Sequence, residues 1–245
     1  MPTVGVIKPS TRPGKAEELV AILPPEIRLE HGGCRIADNT RAELERSFAD
    51  FDAEVARMAA LKVDLIHPAG VPFLLLGRRK EKEMLERWEE RFGIPVFTNS
   101  MSQVNAAKAF GARRLVAASY FPGELNDAFA AYLEQAGFEV LESLGLEGVP
   151  FMEVPKVTAA AMRAFLDGLM RRNPGAEAIY LIGPAWRVSL DMIEEVEAGY
   201  SIPVIHHVPA QSWEIQRRLG FRRPVQGYGR LTRELPVLPA TPASG

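Results

Sequence analysis

Cysteine is nearly absent: Cys34 is the only one in 245 residues. A single thiol rules out an internal disulfide and any cysteine metal cluster. Long apolar runs are missing too, and the longest uncharged one, around Val71–Leu76, is far too short to span a bilayer. The opening residues MPTVGVIKPS lack the basic and apolar regions of a secretion signal. A soluble, cytoplasmic protein with no membrane partner is therefore expected. Neither sign of charge dominates, with Lys+Arg 29 against Asp+Glu 31 and a net charge of -2. The basic residues form no stripe that would neutralise phosphates, so nucleic acid is not an expected partner. No phosphate-binding glycine loop, zinc signature or GxSxG elbow occurs. The common nucleotide, metalloenzyme and serine-hydrolase readings fall away, and neither cofactor nor metal is expected.

What the chain does contain is a hydrophobic content of 47%, enough to bury a sizeable core, arranged as alternating strand and helix patterns. Thr3–Ile7 is a short β-rich run that ends in the Pro/Gly loop KPSTRPG. Lys15–Leu23 reads as a short helix stopped by Pro24-Pro25, and Glu30–Asn39, with Gly32-Gly33, as an irregular flap. Thr40 and Glu43 form a capping box. Leu44, Phe48, Phe51, Val55, Met58 and Leu61 then recur at helical spacing and predict a helix over Arg41–Leu61. A strand at Val63–His67, an outer helix at Arg78–Phe92, a strand at Ile94–Thr98 and a helix at Ser102–Phe110 follow. Strand–turn–helix steps in this order argue for parallel, doubly wound sheets, because parallel neighbours need crossover helices.

The second half repeats the first. Strands are expected at Arg114–Ala118, Phe138–Leu144, Ala178–Ile182 and Ile202–Ile205, with helices at Gly123–Ala136, Thr158–Arg171, Ser189–Ala198 and Ala210–Leu219. Ile94-Pro95-Val96 matches Ile202-Pro203-Val204, and each leads into a helix that carries a glutamine, Gln103 or Gln211, at the equivalent place. Such self-similarity marks an internal duplication. The expected architecture is two flavodoxin-like α/β lobes, residues 2–110 and 111–219, each with a parallel four-stranded sheet and related by a pseudo-twofold. Residues 220–235 pack back on the first lobe, and 236–245 form a disordered tail.

Open α/β sheets bind ligands beyond the carboxyl ends of their strands, so two facing lobes would share a cleft there. The candidate residues lie in the strand-end turns. Free N–H groups at helix starts suit carboxylates, and Pro9, Ser10, Gly70 and Val71 are placed to shape such a cradle. Lys8 either holds a substrate carboxylate or is a solvated strand-end charge. His67 ends a strand beside the cleft and is either a general acid or base or a structural histidine. Its period-two relation to Ala69 points both to one face of the strand. Tyr120 is a proton donor or core, while Met152 and Trp186 fit pocket wall or core equally. His206 and His207 alternate, so at most one faces the cleft. Cys34 falls in the expected flap and reads as a chance thiol.

The order and spacing of these segments resemble the arylmalonate decarboxylase and maleate isomerase group of the aspartate/glutamate racemase superfamily. Val4-Gly5-Val6-Ile7, Ser143-Leu144-Gly145 with Gly148-Val149 and Met152, and Gly227-Tyr228-Gly229-Arg230-Leu231 carry the resemblance. It implies that two facing strand ends bear the chemistry. Racemases and isomerases of that superfamily place a cysteine at each, and the decarboxylase keeps only the second. Here Ala69-Gly70 stands at the first place and Gly183-Pro184 at the second, so both thiols are replaced. The decarboxylase's pocket tyrosine corresponds to Phe121, next to Tyr120.

The resemblance implies a cofactor-free lyase or isomerase acting on a small carboxylic or dicarboxylic acid through an enediolate-like intermediate. The alternative is a family member that only binds a small carboxylate. His67, Lys8 and Tyr120 are the expected catalytic residues. Pro9, Ser10, Ala69, Gly70, Val71, Phe121, Met152, Gly183 and Pro184 are the expected substrate-binding positions. A homo-oligomer is left open.

Overall fold

The first strand, β1 (Thr3–Lys8), is buried from Val4 to Ile7, as expected of a parallel strand covered on both faces. It pairs in parallel with β2 (Arg28–Gly33) and β3 (Leu65–Pro68), giving the order β2-β1-β3. The second sheet is also all parallel. It is built from β4 (Arg114–Ser119), β5 (Glu139–Gly145), β6 (Ala178–Ile182) and β7 (Val204–His206) in the order β5-β4-β6-β7. The computed structural model describes residues 1–9, 15–36, 40–121, 123–146, 148–149, 151–182 and 190–239.

The four-stranded expectation for the first lobe needs correction, because the run at Ile94–Thr98 is reduced to an isolated parallel bridge between Ile66 and Val96. Pro95 has no N–H to give, and the Val96 N–H goes to Glu89 Oε1 at 2.7 Å. Only Ile66 N to Pro95 O, 3.0 Å, and Phe97 N to Ile66 O, 3.1 Å, remain of a ladder. With that bridge in the place of a fourth strand, both halves share one topology.

The helices are α1 (Lys15–Ile22), α2 (Arg41–Ala60), α3 (Pro72–Phe92), α4 (Asn99–Ala109), α5 (Glu124–Gln135), α6 (Ala159–Arg172), α7 (Ile193–Tyr200), α8 (His207–Arg218) and α9 (Arg230–Glu234). A short 3-10 turn spans Phe151–Lys156. Thr40 caps α2 by accepting from Glu43 N at 3.3 Å, and Leu44, Phe51, Val55 and Met58 form its buried stripe. That stripe explains a second correction. The glycines of the expected flap belong to β2, because a Cβ on Gly32 would stand 2.1 Å from Glu54 Oε2 and 2.9 Å from Met58 Cε. Glycine is the residue that lets α2 lie on the sheet edge. α3 also starts earlier than its charge pattern suggests: Pro72 suits a first helical turn, and Gly77, at φ 73°, kinks the helix before the charged stretch.

The halves interlock through helices. α8, which follows the last strand of the second sheet, runs along α4 and meets α1 of the first half. Gln103 of α4 reaches the opposite way and donates through Nε2 to Leu181 O (3.0 Å) and Ile205 O (3.2 Å), at the ends of β6 and β7. Glu81 of α3, 2% exposed, accepts from Thr98 Oγ1 in the first half and from Tyr132 OH on α5 in the second. Burial pushes its carboxyl above the ordinary range, opposed by those hydrogen bonds.

After Leu219 the chain is held by α7 and α8. Phe221 N donates to Gln216 O (2.8 Å), Gly227 N to Glu194 Oε1 (3.0 Å) and Arg230 N to Glu197 Oε2 (2.7 Å). It touches the first half through the Arg223–Glu26 ion pair. Trp213 Nε1 donates to Pro236 O at 3.0 Å and ties down the start of the tail. Residues 240–245 lie outside the described set. Among the described residues no helix is long and apolar enough to cross a membrane.

Candidate active site at the strand ends

Because β1 and β3 are parallel neighbours, with Val6 beside His67 and Ile7 beside Pro68, their carboxyl ends open on the same edge. There a small cleft is lined by Val6, Lys8 and Pro9 from β1 and its exit, Leu19 from α1, and Ala69 and Gly70 after β3. Asn99 at the start of α4 and His207, Val208 and Gln211 at the start of α8 complete it. The second half thus supplies one wall by way of α8.

Gly70 adopts φ +111°, and a Cβ there would sit 2.9 Å from Pro9 Cβ and Cγ. The two turns approach so closely that only glycine fits. Gly70→Ala should cost roughly 1–3 kcal/mol from the left-handed backbone and push Pro9 into the cleft. Urea denaturation would show the loss, and an unchanged midpoint would refute the close approach.

The starts of α4 and α8 border this space and α3 begins just after Gly70, each presenting a positive dipole end. α4 is capped by Thr98, whose Oγ1 accepts from Met101 N at 3.1 Å. α8 is capped by His206, whose Nδ1 accepts from Val208 N at 3.2 Å. Burial holds His206 neutral, pushing its pKa down to about 3. Lys8 supplies a cation to the lining.

Of the residues singled out from sequence, Lys8, Pro9, Ala69 and Gly70 meet in this cleft. Val71 is buried as the N-cap of α3. His67 does not line the cleft. It is fully buried one layer behind it, stacked on Phe97 with ring centroids 4.3 Å apart. Its Nδ1 lies 3.0 Å from Phe97 O. Burial lowers its pKa to about 4, against the opposing pull of the Phe97 carbonyl and the Asn99 carboxamide. Tyr120 and Phe121 are also buried, with rings 4.2 Å apart, in a turn fixed by Ser119, whose Oγ accepts from Phe121 N at 3.1 Å. The Ser10, Gly183, Pro184 and Trp186 positions lie outside the described residues, and so does the Met152 side chain.

The same geometry brings in Asn99, Gln211 and Leu19, which no motif announced, together with His207. The available signal was the repeated glutamine of the two halves, since Gln211 is the one that reaches the cleft. Of the two adjacent histidines, His206 is the buried cap and His207 the cleft wall.

Cys34 lies elsewhere, packed with Ile7, Phe51 and Val55 under α2. Burial, reinforced by the Asp50 and Glu54 carboxylates, pushes its thiol up to about 12. A thiol at that pKa is not a nucleophile near neutrality. The native protein should therefore resist iodoacetamide at about pH 8, with labelling appearing only on denaturation. Fast labelling of the folded chain would contradict this burial.

Two parallel sheets of one topology, with a cleft at their strand ends bordered by helix starts, define a duplicated α/β protein. The arylmalonate decarboxylase family model matches residues 20–232, and the chain belongs to that family. Over 148 residues it is 30% identical to the arylmalonate decarboxylase of Bordetella bronchiseptica, a stretch covering 59% of this chain and 60% of that protein. Its fold matches a Nocardia farcinica maleate cis-trans isomerase mutant with a covalently bound succinylcysteine intermediate, at TM-score 0.84 and 22% identity over 95% of this chain and 98% of that one. A double mutant of arylmalonate decarboxylase in its liganded form matches at TM-score 0.86 and 22% identity, over 96% and 100% of the two chains.

Proposed function

We propose that this protein is a cofactor-free lyase or isomerase that generates and reprotonates a carbanion next to the carboxylate of a small organic acid. The observation that carries the reading is the convergence of Lys8, the Asn99 carboxamide and the starts of α3, α4 and α8 on one small cleft, in a chain of the arylmalonate decarboxylase family. In decarboxylation the C–C bond to one carboxylate breaks and CO₂ leaves. The electron pair spreads onto the remaining carboxylate as an enediolate, and a proton is then delivered to carbon. In racemisation the same enediolate arises by removal of a carbon-bound proton. Preorganised N–H donors and a cation aimed at the enediolate oxygens lower the barrier by several kcal/mol.

No thiol lines the cleft among the described residues, and Ala69 has no proton to give. The titratable side chains on its wall are Lys8 and His207. In this proposal Lys8 holds the carboxylate and His207 moves the proton. His67 acts through Asn99, as a positioning residue.

A second reading, a carboxylate-binding protein without catalysis, is favoured by the missing thiol and by the inert Cys34. Incubation with arylmalonates, maleate and short dicarboxylates in D₂O separates the two. Deuterium at the carbon next to the carboxylate, or released CO₂, supports the enzyme. Thermal stabilisation without exchange supports the binder. If no acid stabilises or exchanges, the carboxylate cleft itself is refuted.

A further inference from the structure

Behind the polar wall of the cleft stands Phe97, whose carbonyl oxygen accepts and never donates. The ring proton of neutral His67 must therefore sit on Nδ1, 3.0 Å from that oxygen. His67 Nε2 is then a bare lone pair, buried and without a hydrogen-bond partner of good geometry. The Asn99 carboxamide lies beside this ring, and its Oδ1 is turned the other way, accepting from Gln211 Nε2 at 3.0 Å. Asn99 Oδ1 is thus committed to Gln211, and Gln211 has spent its own NH₂ on Asn99. What Gln211 has left is an acceptor, Oε1. Among the described residues nothing donates to it, although the side chain is 7% exposed and lines the cleft.

The duplicated partner shows that this is not a general feature of the fold. Gln103 occupies the equivalent place in the first half and uses its NH₂ on two strand-end carbonyls, Leu181 O and Ile205 O. It closes that end of the second sheet. Gln211 instead faces space that a ligand can enter, and an acceptor that such a ligand shuts off from water needs a donor on the ligand.

We propose that Gln211 selects carboxylic acids that carry a hydroxyl or amino group next to the carboxylate, with the carboxylate on Lys8 and that donor on Gln211 Oε1. The apolar lining of Val6, Leu19 and Val208 leaves room for only a small remainder. This rests on the carboxylate reading of the cleft and names its substrate class. A site built to receive a hydroxyl rejects the analogue that lacks it, because the buried acceptor then loses water and gains nothing.

The test compares matched acids on the full-length protein by calorimetry: tartronate against malonate, and malate against succinate. The hydroxy acid of each pair should bind roughly tenfold to a hundredfold more tightly. Gln211→Met, which keeps the length and removes the acceptor, should bring the two affinities together by weakening only the hydroxy acid. Equal affinities in the unmodified protein, or equal weakening of both members of a pair by Gln211→Met, would overturn the proposal while leaving the carboxylate cleft intact. If neither member of either pair binds, the cleft reading itself fails and this proposal with it. The unmodified comparison needs no variant, so a Gln211→Met chain that misfolds does not shelter the idea.

Discussion

Acidification from pH 6.5 toward 4 should strip this fold of most of its stability. His67 and His206 are fully buried, and burial lowers them from the ordinary 6.5 to about 4 and about 3. The sign follows from linkage. Below 6.5 the unfolded chain takes up protons that the folded chain refuses, so the stability present at neutral pH is lost as pH falls. The loss continues to about 4 for His67 and to about 3 for His206. Two protons give a slope on the order of 2–3 kcal/mol per pH unit, steep against a typical total of about 5–15 kcal/mol. Glu81 works the other way: its carboxyl is raised above 4.5, so its contribution is present below that value and fades as pH rises. Urea midpoints measured from neutrality down to the acid range would trace the slope. His206→Asn keeps an acceptor for the Val208 N–H and removes one of the two protons, so it should flatten the curve by about half. Stability that is level across this range would mean that the rings are not held neutral.

His207→Gln should lower turnover by about 10²–10⁴-fold, the usual contribution of a general acid or base, with little change in the affinity for the acid. His207 is the imidazole on the cleft wall, at the start of a helix whose cap, His206, is locked by its bond to Val208 N. Glutamine keeps hydrogen-bonding capacity and volume but cannot carry a proton. His67→Gln serves as the comparison. A positioning residue behind Asn99 should alter KM and the hydroxy-acid preference more than kcat, and Cys34→Ala should alter neither. Should His67→Gln erase turnover while His207→Gln retains it, the buried ring is the proton carrier and the present assignment is wrong.

Much of the architecture was legible because it rests on local rules. The Thr40 cap and the Leu44–Met58 stripe placed α2 to within a residue of its end, and alternation of strands and helices announced parallel sheets. The errors came where tertiary packing gave a residue a second meaning. Gly32-Gly33 reads as a flap in isolation and is a strand under α2. Ile94–Thr98 reads as a strand, yet Pro95 and the Glu89 carboxylate leave it two rungs. The site divides along the same line. Lys8, Pro9, Ala69 and Gly70 follow from strand ends alone, Asn99 enters at the start of α4, and His207 and Gln211 enter only because α8 crosses to the other half. The pleat relates His67 to Ala69 from sequence alone. It could not tell that Phe97 would cover the ring.

The position of Glu81 has a consequence for how this chain tolerates being cut. Its two oxygens are taken by Thr98 from one repeat and Tyr132 from the other, while Gln103 spends its amide on strand ends across the junction. A half-length fragment ending near Phe110 would lose the Tyr132 partner of the Glu81 carboxyl and both acceptors of the Gln103 amide, and would expose the apolar face between the repeats to water. Neither repeat is therefore expected to fold on its own. Co-expressed fragments should reassemble by complementation, each supplying the hydrogen bonds the other lacks, where separately expressed fragments would aggregate.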